Sequence, residues 1–422
     1  MLEHPVLGQV TLGYSPVTNR ERAVVATRLT VFPERSDTGP DAAALLAALD
    51  EVWPAEAAAD QPLRLAPRPL DPSTVAQRAG PRPQLMLNVA GEALLRAVMD
   101  AAPGPQLMIE VPAFMVGDTA HKPMLEQLHG AGSVLLIKGR PLVPLAPEVL
   151  ALFSHSIVEV GEERRSGPAP AGVERQITTV QAGCRTSADF DAAFQRGAVA
   201  VLGWPLDDAA PKSTGRASVP SDVNAVMALI NGVERERPVG ELEAILKRDP
   251  TLAFRLMRYL NSPAFGLTVE INSFGHALMM LGYQRLKRWL ALLLASSAKG
   301  ANAKPVMHAA VRRGLLMEEL AREQGDAEMR GEMFICGVFS LLDQLLQQPF
   351  GELLPNVPVP ERVQQALRGV GGPYTPYLEL VRAIEQEAVF DIRERAEALM
   401  LGTATVNRAV LMALRAARQL DG

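Results

Sequence analysis

The side chains that could do chemistry are few, and most are of types that recognise rather than react. In "MMLGYQRLKRWLALLL" the cations Arg285, Lys287 and Arg288 follow a glycine turn, beside Tyr283. Tyrosine and arginine are the types enriched at protein-binding hot spots. Helix-turn-helix DNA readers also look like this. The run has no wider basic surround, so a protein-contact face is the expectation and nucleic acid is not. The six histidines are His4, His121, His129, His155, His276 and His308, and none precedes an aspartate. Cys184 and Cys336 lie far apart, which excludes zinc-ligand spacing and a disulfide framework. The chain contains no Walker loop, dinucleotide fingerprint or nucleophile elbow.

Composition narrows the class further. Among 422 residues, 48% are hydrophobic and 21% charged, as in ordinary globular proteins, and the formal net charge is −5. No global electrostatic attraction to nucleic acid follows. The opening "MLEHPVLGQV" lacks the pattern of a secretory signal, and "WLALLLASSA" is about half the length a bilayer needs. With reduced thiols expected at both cysteines, these features predict a cytoplasmic protein without membrane contact.

The elements that must carry these side chains change character near residue 210. Before it, "AVVATRLTVF" (23–32), "QLMLNV" (84–89), "QLMIEV" (106–111), "SVLLIKG" (133–139), "SIVEVG" (156–161), "QITTVQAG" (176–183) and "AVAVLGWP" (198–205) read as strands. Helical pieces separate them, including 41–53 and 187–197, the latter with Ser187 as N-cap and Gly197 as terminator. Alternation of this kind predicts a parallel sheet and a short (β/α) barrel. Residues 207–220, "DDAAPKSTGRASVP", read as a linker. Beyond it the patterns are helical. Asp249 and Pro250 open one helix that Pro263 stops, and Ser273 and Gly282 bound the next. The expected fold is multidomain, α/β then all-α: a barrel over 1–210 and a helical bundle over 211–422.

Two families are resembled. "DPTLAFRLMRYLNSPAFGLTVEINSFGHALMMLGYQRLKRWLALLLA" is similar to the HDOD domain, a helical relative of metal-dependent HD phosphohydrolases that lacks the metal site. The first half resembles the EAL family of cyclic di-GMP phosphodiesterases in the order and spacing of its runs. The family's signature tripeptide does occur, as Glu92-Ala93-Leu94. It stands after the run that ends at Asn88, so it reads as the first turn of a helix, where a negative charge suits the dipole. The place of the signature glutamate falls at or near Thr27.

The resemblance implies that Asn88 and Glu110 are vestiges of a metal site and that its other members are gone. Lys138 and Gly139 replace paired aspartates, Val158 stands near the place of a lysine, Ala182 and Arg185 replace two glutamates, and Leu202 replaces a glutamine. Two-metal hydrolysis needs several carboxylates, and a lysine repels a divalent ion. In the second half Ser340-Leu341 stands where a His-Asp pair would be, with Asp343 and His308 nearby in the pattern. The expectation is therefore no catalytic residue, no metal and no cofactor.

What remains is a bacterial signal-transduction adaptor acting through protein partners, with homodimerisation plausible from the EAL resemblance. Its candidate protein-binding face is Asn261, Ser262, Phe265, Tyr283, Arg285 and Arg288. The alternatives are a sensor that binds cyclic di-GMP without turnover, with Lys138, Arg140 and Arg185 as phosphate contacts, and a residual phosphodiesterase.

Overall fold

Eight strands close into a barrel in the order β1-β2-β3-β4-β5-β6-β7-β8 in the computed structural model of the chain. The structure describes residues 4–34, 39–53, 85–103, 107–141, 144–162, 177–208, 221–247, 274–296, 302–355, 357 and 359–420. The strands are β1 Val10–Asn19, β2 Val24–Pro33, β3 Leu85–Val89, β4 Leu107–Pro112, β5 Val134–Lys138, β6 Phe153–Glu159, β7 Thr178–Ala182 and β8 Ala200–Leu202. From β2 to β8 each pair is parallel, for example Thr30 opposite Asn88 and Pro112 opposite Lys138.

The sequence reading missed β1, and β1 breaks the parallel rule. It runs antiparallel to both β2 and β8. Its pattern hides it, because "VTLGYSPVTN" holds a glycine, a proline and five polar side chains, yet all ten residues are buried. β8 is so short that it pairs only with Val17, Thr18 and Asn19, leaving the first half of β1 without a strand on that side.

The barrel interior follows the period of two that strands impose. Ala26, Met86, Met108, Leu136, Ile157, Val180, Ala182, Ala200 and Leu202 pack together inside. Outside, the helix Ser187–Gln195 buries Phe190, Ala193 and Phe194 with Cys184 and Val201. Its N-cap is Thr186 rather than Ser187. The Thr186 hydroxyl accepts from the Asp189 amide while the Asp189 carboxylate accepts from the Thr186 amide, a reciprocal capping box. The helix Glu92–Asp100 starts at the Glu-Ala-Leu tripeptide and buries Leu94, Leu95, Val98 and Met99.

The second part of the chain is helical. Its longer helices include Ser221–Glu234, Phe274–Ser296, Ala303–Leu320 and Ala327–Phe339. The Phe274–Ser296 run is interrupted at Gly282, which adopts φ 73°, ψ 166°, so the expected terminator does break the helix there. Asp249, Pro250, Pro263 and Ser273 lie outside the described residues. So does most of the linker read at 207–220.

The chain divides into two compact units: Met1–Asp208 with Arg382–Leu411, and Ala209–Val381 with Met412–Gly422. The first boundary falls where the composition changes. The return of Arg382–Leu411 to the barrel differs from a simple division of the sequence at 210. Asn407 shows the physical reason. Its side chain accepts from the Leu12 amide (3.0 Å) and donates to the carbonyls of Leu7 (2.7 Å) and Val10 (2.6 Å). Those groups lie where β1 has no strand neighbour, and buried main-chain polar groups must find partners.

Candidate functional site

The inward, C-terminal ends of the parallel strands meet at one mouth of the barrel. On β2 the strand period turns Ala26, Arg28 and Thr30 inward and Thr27 outward. The sequence expectation lies at or near Thr27, and the neighbouring side chain that faces the mouth is Arg28, a cation. On β6 the inward positions are Ile157 and Glu159, so Val158 faces away. Ala182 of β7 faces in, among the interior apolar residues.

Arg28 and Glu110 form a two-pronged ion pair. Arg28 Nε donates to Glu110 Oε1 at 2.6 Å and Nη2 to Oε2 at 2.8 Å. The side chains are 9% and 0% exposed, so the pair is removed from water. Planar guanidinium and carboxylate match in this geometry, which makes such bonds strong and directional. Burial works against the Arg28 charge, but Glu110 and Glu387 outweigh it and raise its pKa further.

Glu387 is the residue that sequence reasoning missed. Its carboxylate accepts from Ser15 Oγ (2.9 Å), Thr30 Oγ1 (2.7 Å) and Arg28 Nη1 (3.2 Å). It sits just past the helix Thr375–Glu385. There the Glu387 amide bonds the Ile384 carbonyl (3.2 Å) and the Ala388 amide bonds the Ala383 carbonyl (3.0 Å). This pair of hydrogen bonds is a Schellman ending, whose left-handed position favours glycine. Glu387 holds that position with φ 56°. The only signals in sequence were an acidic residue at a helix end and Gly13 in β1. A Cβ at Gly13 would lie 3.1 Å from Glu387 Cα and from the Ile384 carbonyl oxygen, so the glycine admits the turn.

Asn88 and Lys138 complete the network. Asn88 Nδ2 donates to Thr30 Oγ1 (3.1 Å), and Lys138 Nζ donates to Asn88 Oδ1 (2.7 Å). Burial, then the neighbouring Arg28 charge, lowers the Lys138 pKa from its ordinary value, with Glu110 opposing. Asn88 and Glu110, the two positions that the resemblance assigns to a metal site, are thus brought together, and the side-chain oxygens of each are bonded to a cation. Both oxygens of Glu110 face a guanidinium, and the Asn88 oxygen faces an ammonium. These residues do not fit a pair of divalent cations. Among the described residues, no group of three or more His, Cys, Asp or Glu side chains is placed to hold a metal ion.

Beside this network lies a cleft of about 800 Å³, lined in part by Phe114, Lys138, Gly139, Arg140, Ile157 and Glu159. Lys138 and Arg140 therefore share one wall region. Arg185 is not part of that lining. It pairs with Asp207 at 2.7 Å on the surface.

In the helical unit the candidate face is only partly as expected. Tyr283 is half-buried and its hydroxyl donates to the Arg237 carbonyl at 3.3 Å. Lys287 pairs with Glu234. Arg288 is engaged internally: it pairs with Glu318 at 2.6 Å and lies over the Phe334 ring, 4.1 Å from the centroid. Asn261, Ser262 and Phe265 lie outside the described residues, as does the side chain of Arg285. At the position aligned with the missing His-Asp pair, the Ser340 hydroxyl accepts from Arg313 Nη1 (3.0 Å) and donates to the Gly337 carbonyl (2.7 Å). Desolvation, then the Arg312 charge, holds the His308 pKa well below its ordinary value. Cys184 and Cys336 are both buried and neither forms a disulfide. Among the described residues no helix is long and apolar enough to cross a membrane.

Residues 217–384 match the HDOD domain model. A stretch of 161 residues is 34% identical to YuxH of Bacillus subtilis, covering 37% of this chain and 39% of that protein. A stretch of 145 residues is 28% identical to the cyclic di-GMP phosphodiesterase CdgJ of Vibrio cholerae, covering 34% of each. The chain thus aligns with well under half the length of these relatives. Among solved structures, the MucR phosphodiesterase in complex with c-di-GMP is similar at 18% identity with a TM-score of 0.30, over 47% of this chain and 91% of that one. The FimX EAL domain of Pseudomonas aeruginosa bound to c-di-GMP is similar at 15% identity with a TM-score of 0.25, over 47% and 90%. The matched family model ends at 384, two residues into the returning segment that carries Glu387, and the chain carries an HDOD domain C-terminal in sequence to a closed eight-stranded barrel.

Proposed function

We propose that the protein is a non-enzymatic adaptor in bacterial second-messenger signalling, working through protein–protein contacts. One observation carries the reading. The oxygens of Glu110 and Asn88, the two donors the resemblance assigns to a metal site, are bonded to Arg28 and Lys138. A cation built into the chain takes the place a divalent ion would need, and without that ion water is not activated for phosphodiester attack. The HDOD domain and the likeness to CdgJ, named a cyclic di-GMP phosphodiesterase, support the signalling context.

The binding face in the helical unit centres on the Gly282 break, where Gly282 and Gln284 are exposed and Tyr283 is half-exposed. Arg288 is assigned to packing instead, given its contacts with Glu318 and Phe334.

The cleft at Lys138 and Arg140 favours one second reading, a sensor that binds cyclic di-GMP without cleaving it. Calorimetry with cyclic di-GMP, with and without magnesium, separates the readings. The adaptor gives no heat in either buffer. Magnesium-independent binding supports the sensor, and binding that needs magnesium overturns both.

A further inference from the structure

The Glu387 carboxylate fills a place that has the attributes of a ligand site. Three donors from two strands converge on it: Ser15 Oγ, Thr30 Oγ1 and Arg28 Nη1. The recipient strands are part of the barrel wall, whereas Glu387 arrives from more than 350 residues later in the sequence. The carboxylate is held by a residue in a left-handed conformation that glycine would adopt freely. A helix ending alone gives no reason for a glutamate there. The contact with Arg28 does, because that guanidinium has donors left over after binding both oxygens of Glu110.

We infer that Glu387 is an internal occupant of an anion site, an autoinhibitory side chain that keeps the barrel mouth closed to external phosphate-bearing ligands. Docking of the turn around Glu387 and binding of an outside anion at Arg28, Thr30 and Ser15 are mutually exclusive. The adjoining cleft gives such a ligand room, with Lys138 and Arg140 as donors on its wall and Glu92, Glu159 and Glu162 also on the lining. A ligand that binds only the open form has its affinity reduced by the fraction of molecules that are open. Occupancy of the mouth is separate from the identity of any protein partner and from turnover.

The test uses the full chain and inorganic pyrophosphate as probe. Glu387→Gly removes the carboxylate and suits the left-handed backbone, so the turn itself is not strained by the change. Pyrophosphate should bind this variant about ten-fold or more tightly than it binds the wild-type chain. Glu387→Gln keeps the shape and loses the charge, and should fall between the two. In wild type, saturating pyrophosphate should speed amide exchange of residues 384–389. Equal pyrophosphate affinity in wild type and Glu387→Gly overturns the inference, as does absence of binding to both or unchanged exchange in 384–389 at saturation.

Discussion

Arg28 is the residue on which the barrel mouth turns. It neutralises a carboxylate that is wholly buried and reaches a second that is nearly so. Removing one partner of a buried pair strands the other charge, at a cost of about 3–5 kcal/mol. Arg28→Ala should lower the urea-unfolding free energy by about that amount. Replacing both partners, with Arg28→Met and Glu110→Leu together, should recover most of the loss, since a packed apolar pair is often as stable as a buried ionic one. His155 gives a second prediction at this scale. It is buried in β6, neither ring nitrogen has a hydrogen-bond partner, and burial lowers its pKa from 6.5 to about 4. The folded value lies below the unfolded one, so the unfolded chain binds the extra proton. The contribution is fully present above pH 6.5 and is lost as pH falls towards 4. His155→Leu should therefore flatten the fall in stability across that window, as followed by thermal melts at stepped pH. A variant that still loses stability as steeply as wild type would remove His155 from the account.

At the scale of elements, Asn407 supplies partners to main-chain groups on the open side of β1. Asn407 makes three bonds to main-chain groups of β1 and the turn before it. A buried main-chain group left without a partner costs about 1–3 kcal/mol. Asn407→Ala should destabilise the barrel by at least the cost of one such group and expose the Leu12 amide to exchange. Unchanged Leu12 protection would show that something else closes that edge. The elements differed in how far the sequence revealed them. Runs such as "LMLNV" and "LMIEV" are buried on both faces and so are continuously apolar, which makes them legible. β1 is buried as well, but its Thr11 and Ser15 meet the polar partners Glu34 and Glu387, so its pattern resembles a loop. Asn88, Glu110 and Lys138 were legible as strand-end residues because they follow apolar runs. Arg28 was not, because a charge facing the barrel interior contradicts the pattern that marks a strand. Glu387 was beyond reach, since its partner lies in a strand hundreds of positions earlier and no local pattern records such a pairing.

At the scale of the whole molecule, the barrel unit is discontinuous in sequence, with Arg382–Leu411 completing Met1–Asp208. A fragment ending at 208 lacks both Glu387 and Asn407. It should unfold at lower temperature than the barrel of the full chain, and a separate peptide of residues 382–411 should raise its melting temperature through mass action. No shift at saturating peptide would mean that the segment adds nothing to the barrel. The mouth built by these two pieces of chain holds Arg28 and Lys138 on the oxygens of Glu110 and Asn88. The most direct measurement is turnover of cyclic di-GMP by the purified full chain with magnesium or manganese, followed by chromatography of the nucleotide. The predicted result is intact nucleotide after prolonged incubation. Hydrolysis that is metal-dependent and disappears in Glu110→Ala would contradict it.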